Sequence, residues 1–129
     1  MNVLCNRFIA AIRLCNGPLD IKKRLMLAWS EHLDAIDPNE LPKQLRHKFT
    51  GLRKAIYSRE PLPQETAPQA SIRKMSVSEA VAHTDTIVAL YTELMREIYT
   101  TKKHVTAAGK DFSTDGFPDL SEDSVHRLN

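Results

Sequence analysis

Residues 76–103, "SVSEAVAHTDTIVALYTELMREIYTTKK", open with a start signal for a helix and hold one period to their end. Ser76 and Glu79 form S-x-x-E, a capping box in which each side chain satisfies a backbone N–H that the first helical turn leaves unpaired. Met75 and Ala80 flank it where a hydrophobic staple sits. Behind the box, Val77, Val81, Thr84, Val88, Tyr91, Met95 and Ile98 recur at helical spacing, with Ala80, Ile87 and Leu94 alongside. At standard rise the segment predicts a helix of roughly 40 Å.

Three shorter helices are expected before it. The first, over 2–15, places Leu4, Phe8, Ala11, Ile12 and Cys15 on one face. Gly17 and Pro18 end it, since Gly tolerates a left-handed backbone and Pro cannot continue the hydrogen-bond ladder. The second, over 20–36, starts at Asp20 as N-cap and buries Ile21, Leu25, Ala28, Trp29, Leu33 and Ile36. "DPNELP" (37–42) then makes one short turn, because a ring at Pro42 would meet the carbonyl four residues earlier if a helix ran through it. The third helix runs over 42–58 and buries Leu45, Phe49, Leu52 and Ile56 together with Leu41 just before it. Gly51 inside it costs roughly 1 kcal/mol relative to Ala, which points to close approach by a neighbouring helix.

Residues 59–75, "REPLPQETAPQASIRKM", hold Pro61, Pro63 and Pro68 and no helical stripe, so an extended connection is expected, pinned by Leu62 and Ile72. From 104 to 129, glycines, Pro118 and five acids against two bases read as a flexible acidic tail, in which Phe112, Phe117 and Leu120 resemble a docking peptide. The expected fold is therefore all-α: a small antiparallel four-helix bundle with a long C-terminal helix, a Pro-rich connection and a mobile acidic tail. One helical domain over 1–103 accounts for the packed part. The shorter helices are nearer 20 to 26 Å, so the last one overhangs them and its excess stripe can pair with a second copy, a homodimer.

A chain of 129 residues with 42% hydrophobic content can close one core. No apolar run approaches the roughly 20 residues that cross a bilayer, so no membrane role is expected. "MNVLCNRFIAAIRLCNG" is broken by Asn6, Arg7 and Arg13 and lacks an uninterrupted signal-peptide core, which points to the cytoplasm. Cys5 and Cys15, ten residues apart on one helix, are separated by about 15 Å and read as reduced thiols.

Charge is the informative feature. Residues 1–75 carry 13 Lys and Arg against 7 Asp and Glu, whereas residues 76–129 carry 5 against 9, so a net charge of +2 conceals a dipolar chain. If the helices alternate up and down, one end gathers Lys22, Lys23, Arg24, Arg53, Lys54, Arg59, Arg73 and Lys74. Cations beside helix N-termini oppose the macrodipole, so a sequence selected for stability alone would place acids there. The expected role is that of a non-catalytic interaction or regulatory protein whose basic surface receives an acidic protein or peptide. The alternative is nucleic-acid binding through the third helix, where Lys43, Gln44 and Arg46 stand near the N-terminus and His47 and Lys54 on the outer face.

Catalysis and cofactors are not expected. Glu79 and His83 lie at i, i+4, but a metal site needs three or four ligands, and neither H-E-x-x-H nor a cysteine pair at zinc spacing occurs. The other histidines are scattered. No G-x-S-x-G elbow or phosphate-cradling glycine loop is present.

Overall fold

The computed structural model describes residues 2–109, with the side chains of 3–100. All its regular structure is helical: α1 (Asn2–Cys15), α2 (Ile21–Ala28) continued by a π-helical turn (Trp29–Leu33), a 3₁₀ turn (Pro38–Glu40), α3 (Lys43–Ile56), α4 (Ala67–Lys74) and α5 (Val77–Gly109). Five α-helices replace the expected four. The chain divides into two compact units, Met1–Arg96 and Glu97–Asn129; in the second, the described residues are the helical stretch 97–109. No helix among the described residues is long and apolar enough to cross a membrane.

The additional helix is α4, inside the segment expected to be extended. Thr66 and Gln69 form a capping box, with Thr66 N–H donating to Gln69 Oε1 at 2.8 Å and Gln69 N–H to Thr66 Oγ1 at 3.2 Å. Pro68 stands in the first turn, where a missing N–H removes nothing the helix would use. Pro68, Ala70, Ser71 and Ile72 are buried, while Leu62 is exposed and pins nothing.

α5 starts as its sequence demands. Ser76 N–H donates to Glu79 Oε1 at 2.8 Å and Glu79 N–H to Ser76 Oγ at 3.0 Å. Its helical conformation continues past 103 to Gly109. The apolar stripe, however, is rotated from the expected one: Ala80, Thr84, Ile87, Leu90 and Leu94 are buried, whereas Val77, Val81, Val88 and Met95 are exposed.

The second helix does not run as one α-helix to Ile36. After Ala28 the ladder loosens, and Asp34 N–H donates to the Trp29 carbonyl at 2.8 Å, five residues back. The loosened turn returns Asp34 to the indole, whose Nε1–H donates to Asp34 Oδ1 at 3.0 Å. Trp29 is wholly buried and stacks on Phe49, ring centroids 5.8 Å apart. It belongs to a core that also includes Phe8, Leu25, Leu33, Leu45, Ile56 and Ile87.

Two glycine expectations fail. Gly17 has no positive φ; a Cβ there would lie 3.3 Å from the Leu14 carbonyl oxygen, so tightness rather than handedness selects it. Gly51 is exposed with nothing within 4 Å of a built Cβ, so no neighbouring helix approaches it.

Candidate functional site

The last turn of α4 is where the basic segments meet. Lys22 Nζ, in the first turn of α2, donates to the Arg73 carbonyl at 3.0 Å. Arg59 N–H, just beyond α3, donates to Ser71 Oγ at 3.0 Å. α4 thus ties the start of α2 to the residues following α3, and Met75, Glu79 and His83 at the start of α5 border the same place. Between them lies a shallow cleft of about 100 Å³ lined by Ala55, Ser58, Arg59, Ser71, Met75, Glu79 and His83.

Local chemistry explains each placement. Asp20 caps α2 by accepting from the N–H groups of Lys22 and Lys23, both at 3.1 Å, which orients the two lysines in the first turn. Arg73 and Lys74 close α4 rather than merely preceding α5. Cations are favourable at a helix C-terminus, so these two do not oppose a macrodipole as expected; they satisfy one, and Lys22 supports them by capping a terminal carbonyl. Arg73 is also held by Glu65, Nε to Oε2 at 2.7 Å and NH2 to Oε1 at 2.9 Å. That guanidinium, helped by the Leu62 N–H, holds the Glu65 carboxyl down at about 2. Burial in the cleft pushes the His83 imidazole below its ordinary value, against the upward pull of the Glu79 carboxylate.

Of the expected site residues, Arg73 and Lys74 end α4, Lys22 and Arg59 are hydrogen-bonded to it, and Lys23 follows Lys22 in the first turn of α2. Lys54 is exposed on α3, one turn before the cleft residue Ser58. The remaining arginines are engaged elsewhere. Arg24 NH1 donates to the Cys15 carbonyl at 2.8 Å, at the end of α1. Arg46 donates through Nε to the Leu41 carbonyl at 3.0 Å and through NH2 to that of Asn39 at 3.3 Å. Arg53 NH2 donates to the carbonyls of Ile36 at 2.7 Å and Asp34 at 3.1 Å, while its guanidinium carbon stands 5.3 Å from the ring centroids of both Trp29 and Phe49. Lys43 is exposed on α3 away from this group, and Lys48 pairs with Glu93 at 2.6 Å. Among the described residues, Lys22, Lys23, Lys54, Arg59 and Lys74 form no ion pair. Phe112, Phe117 and Leu120 lie outside the described residues.

Ser58, Ser71 and His83 were not singled out as site residues from the sequence. Ser71 had one available signal: T-x-x-Q at 66–69 announces the helix that carries it. Among the described residues no group of three or more His, Cys, Asp or Glu is placed to hold a metal ion. Compared with protein-family models, curated proteins and solved structures, the chain matches none.

Proposed function

We propose that the chain is a non-catalytic interaction protein whose basic surface around the last turn of α4 receives an acidic peptide segment of a partner, without metal or cofactor. The observation that carries this is the pair of hydrogen bonds, Lys22 to Arg73 and Arg59 to Ser71, that ties cation-bearing residues of three segments to the last turn of α4, where Arg59 and Ser71 line the cleft. Arg59 at the cleft and Lys22, Lys23 and Lys74 near α4 would meet carboxylates of the peptide, and the Ser71 hydroxyl with the His83 imidazole would offer donors to one acidic side chain inside. Antiparallel packing of the helices of Met1–Arg96 around one core is part of the proposal, since it brings the start of α2, the end of α3 and the start of α5 to one end. Two free cysteines, Cys5 and Cys15, fit a reducing compartment such as the cytoplasm.

The acidic segment 110–129, with Asp111, Asp115, Asp119, Glu122 and Asp123, supplies an internal competitor for that surface, and Phe112, Phe117 and Leu120 a second contact for a partner. Fluorescence anisotropy with a labelled Glu/Asp-rich peptide tests the proposal. Each exposed ion pair contributes about 0.5 kcal/mol, so Lys22→Ala, Lys23→Ala and Lys74→Ala together weaken binding about tenfold. Removing residues 110–129 strengthens it at low salt. A triple variant that binds as the parent does refutes the surface. Preference for a nucleic-acid duplex over the peptide, with a salt slope flattened by Lys43→Ala and Lys54→Ala on the outer face of α3, would establish the nucleic-acid alternative instead.

A further inference from the structure

α5 is apolar on two faces. Ala80, Ile87, Leu90 and Leu94 are wholly buried in the core, yet Val77, Val81, Val88 and Met95 are exposed at 60%, 42%, 44% and 38%. On a helical wheel these four fall within about 40° of one another and about 100° from the core face. They form a second ridge rather than scattered surface residues. The ridge continues onto α1, because Cys5 Sγ lies 3.6 Å from Met95 Sδ, and Cys5, Ile9 and Ile12, on one side of α1, are only half-buried. A helix apolar on two faces requires a cover on each.

Charge selects the cover. The ridge itself holds no charged residue. Along one of its edges stand Asp85 and Arg96, both exposed, with no ion-pair partner among the described residues, eleven positions or about 16 Å apart. In a parallel pair of α5 helices the two-fold axis would run along the seam and carry the Asp85–Arg96 edges of the two copies to opposite sides of it, so that neither charge meets a partner. An antiparallel pair with its two-fold axis midway between them sets each Asp85 against the other copy's Arg96, twice.

We infer that the Val77–Val81–Val88–Met95 ridge of α5 is the surface by which two copies of this chain pair antiparallel, flanked by two Asp85–Arg96 ion pairs. From Val77 to Met95 the ridge is about 27 Å long and about 10 Å wide, a footprint of about 300 Å² per copy that the half-buried side of α1 roughly doubles. That lies below the ≈ 800 Å² per partner of standard interfaces, so the dimer is weak and concentration-dependent.

Sedimentation equilibrium of the full chain from about 5 to about 500 μM tests it. The mass rises from monomer to dimer across that range. Val88→Glu lowers the association constant at least about tenfold, and so does Val81→Glu, the second variant should circular dichroism show the first to be unfolded. Asp85→Arg alone and Arg96→Glu alone each weaken pairing, and the double exchange restores it to within about threefold of the parent. A monomer at every concentration overturns the inference. So does a dimer indifferent to both valine changes, or single charge exchanges without effect. A chain that dimerises only after removal of residues 110–129 also overturns it, for then the acidic segment is the cover.

Discussion

Arg53 was expected to belong to a basic binding surface, and its geometry makes it instead the clasp of the Trp29 turn, a difference that one substitution can measure. Its NH2 group donates to the carbonyls of Asp34 and Ile36, which the end of the π-helical turn leaves without helical partners. Hydrogen bonds from a charged donor contribute about 1.5 kcal/mol each, reduced to about 1 here because the side chain keeps 28% exposure. Stacking against Trp29 and Phe49 adds about 1 kcal/mol. The Asp34 carboxylate, 3.5 Å away and 42% exposed, contributes little. Arg53→Ala should therefore cost about 3 kcal/mol, and at 4–8 °C per kcal/mol for a unit of this size Tm falls by about 12 to 24 °C. Arg53→Lys retains the charge but not the planar fork, and recovers about 1 kcal/mol of the loss at most. Urea denaturation followed by far-ultraviolet circular dichroism reads both, with the same acidic peptide titrated into each folded variant. The clasp is refuted if Arg53→Ala unfolds within 1 kcal/mol of the parent, or if Arg53→Lys matches the parent. Peptide affinity that drops while stability holds would return Arg53 to the binding surface.

Gly51→Ala should stabilise the protein by about 1 kcal/mol in the same denaturation assay, since the site is exposed, helical and empty around its Cα. Thr66→Ala removes one half of the α4 capping box and should cost about 1 kcal/mol, with a matching loss of peptide affinity because α4 positions the lysines. Glu65→Gln leaves Arg73 without its carboxylate, adds one uncompensated cation to the surface and should tighten acidic-peptide binding about two- to threefold at low salt. His83 is held below its ordinary value of 6.5 in the fold, so between that folded value and 6.5 the unfolded chain binds the extra proton. Stability should then fall as pH drops through this window, and His83→Gln should flatten that part of the pH–stability curve.

Helix existence was legible wherever the chain carried both a start signal and a period. Ser76 and Glu79 announced α5, and Asp20 capped α2 as its position suggested. α4 was missed because three prolines outweighed a T-x-x-Q signal, although Pro68 sits where a first helical turn tolerates it. Which face of α5 turns inward was not legible, for both Val77–Val81–Val88–Met95 and Ala80–Ile87–Leu94 keep helical spacing and only the packing of α1 and α3 chooses between them. The π-helical turn at Trp29 was equally hidden. An inserted residue shifts every later position by about 100°, and nothing local in "AWSEHLD" declares it.

The charges themselves divide by side-chain chemistry in a way that a count of cations cannot reveal. Arg7, Arg24, Arg46 and Arg53 each direct a guanidinium onto backbone carbonyls at helix ends and turns: those of His32, Cys15, Leu41 and Asn39, and Asp34 and Ile36. A flat fork with five donors is suited to such work, and it is weakly hydrated enough to be drawn partly inside. An ammonium on a flexible stem has neither property, and apart from Lys22, which reaches the Arg73 carbonyl, Lys23, Lys43, Lys54 and Lys74 remain exposed. These four arginines are consumed in closing turns, so the electrostatic reception around α4 must come mainly from lysines, with Arg59 beside them. Exchanging Lys22, Lys23 and Lys74 for Arg should then preserve peptide binding, whereas exchanging Arg24, Arg46 and Arg53 for Lys should leave binding per folded molecule intact and lower stability. Reversal of that pattern would mean that the arginines, not the lysines, hold the partner.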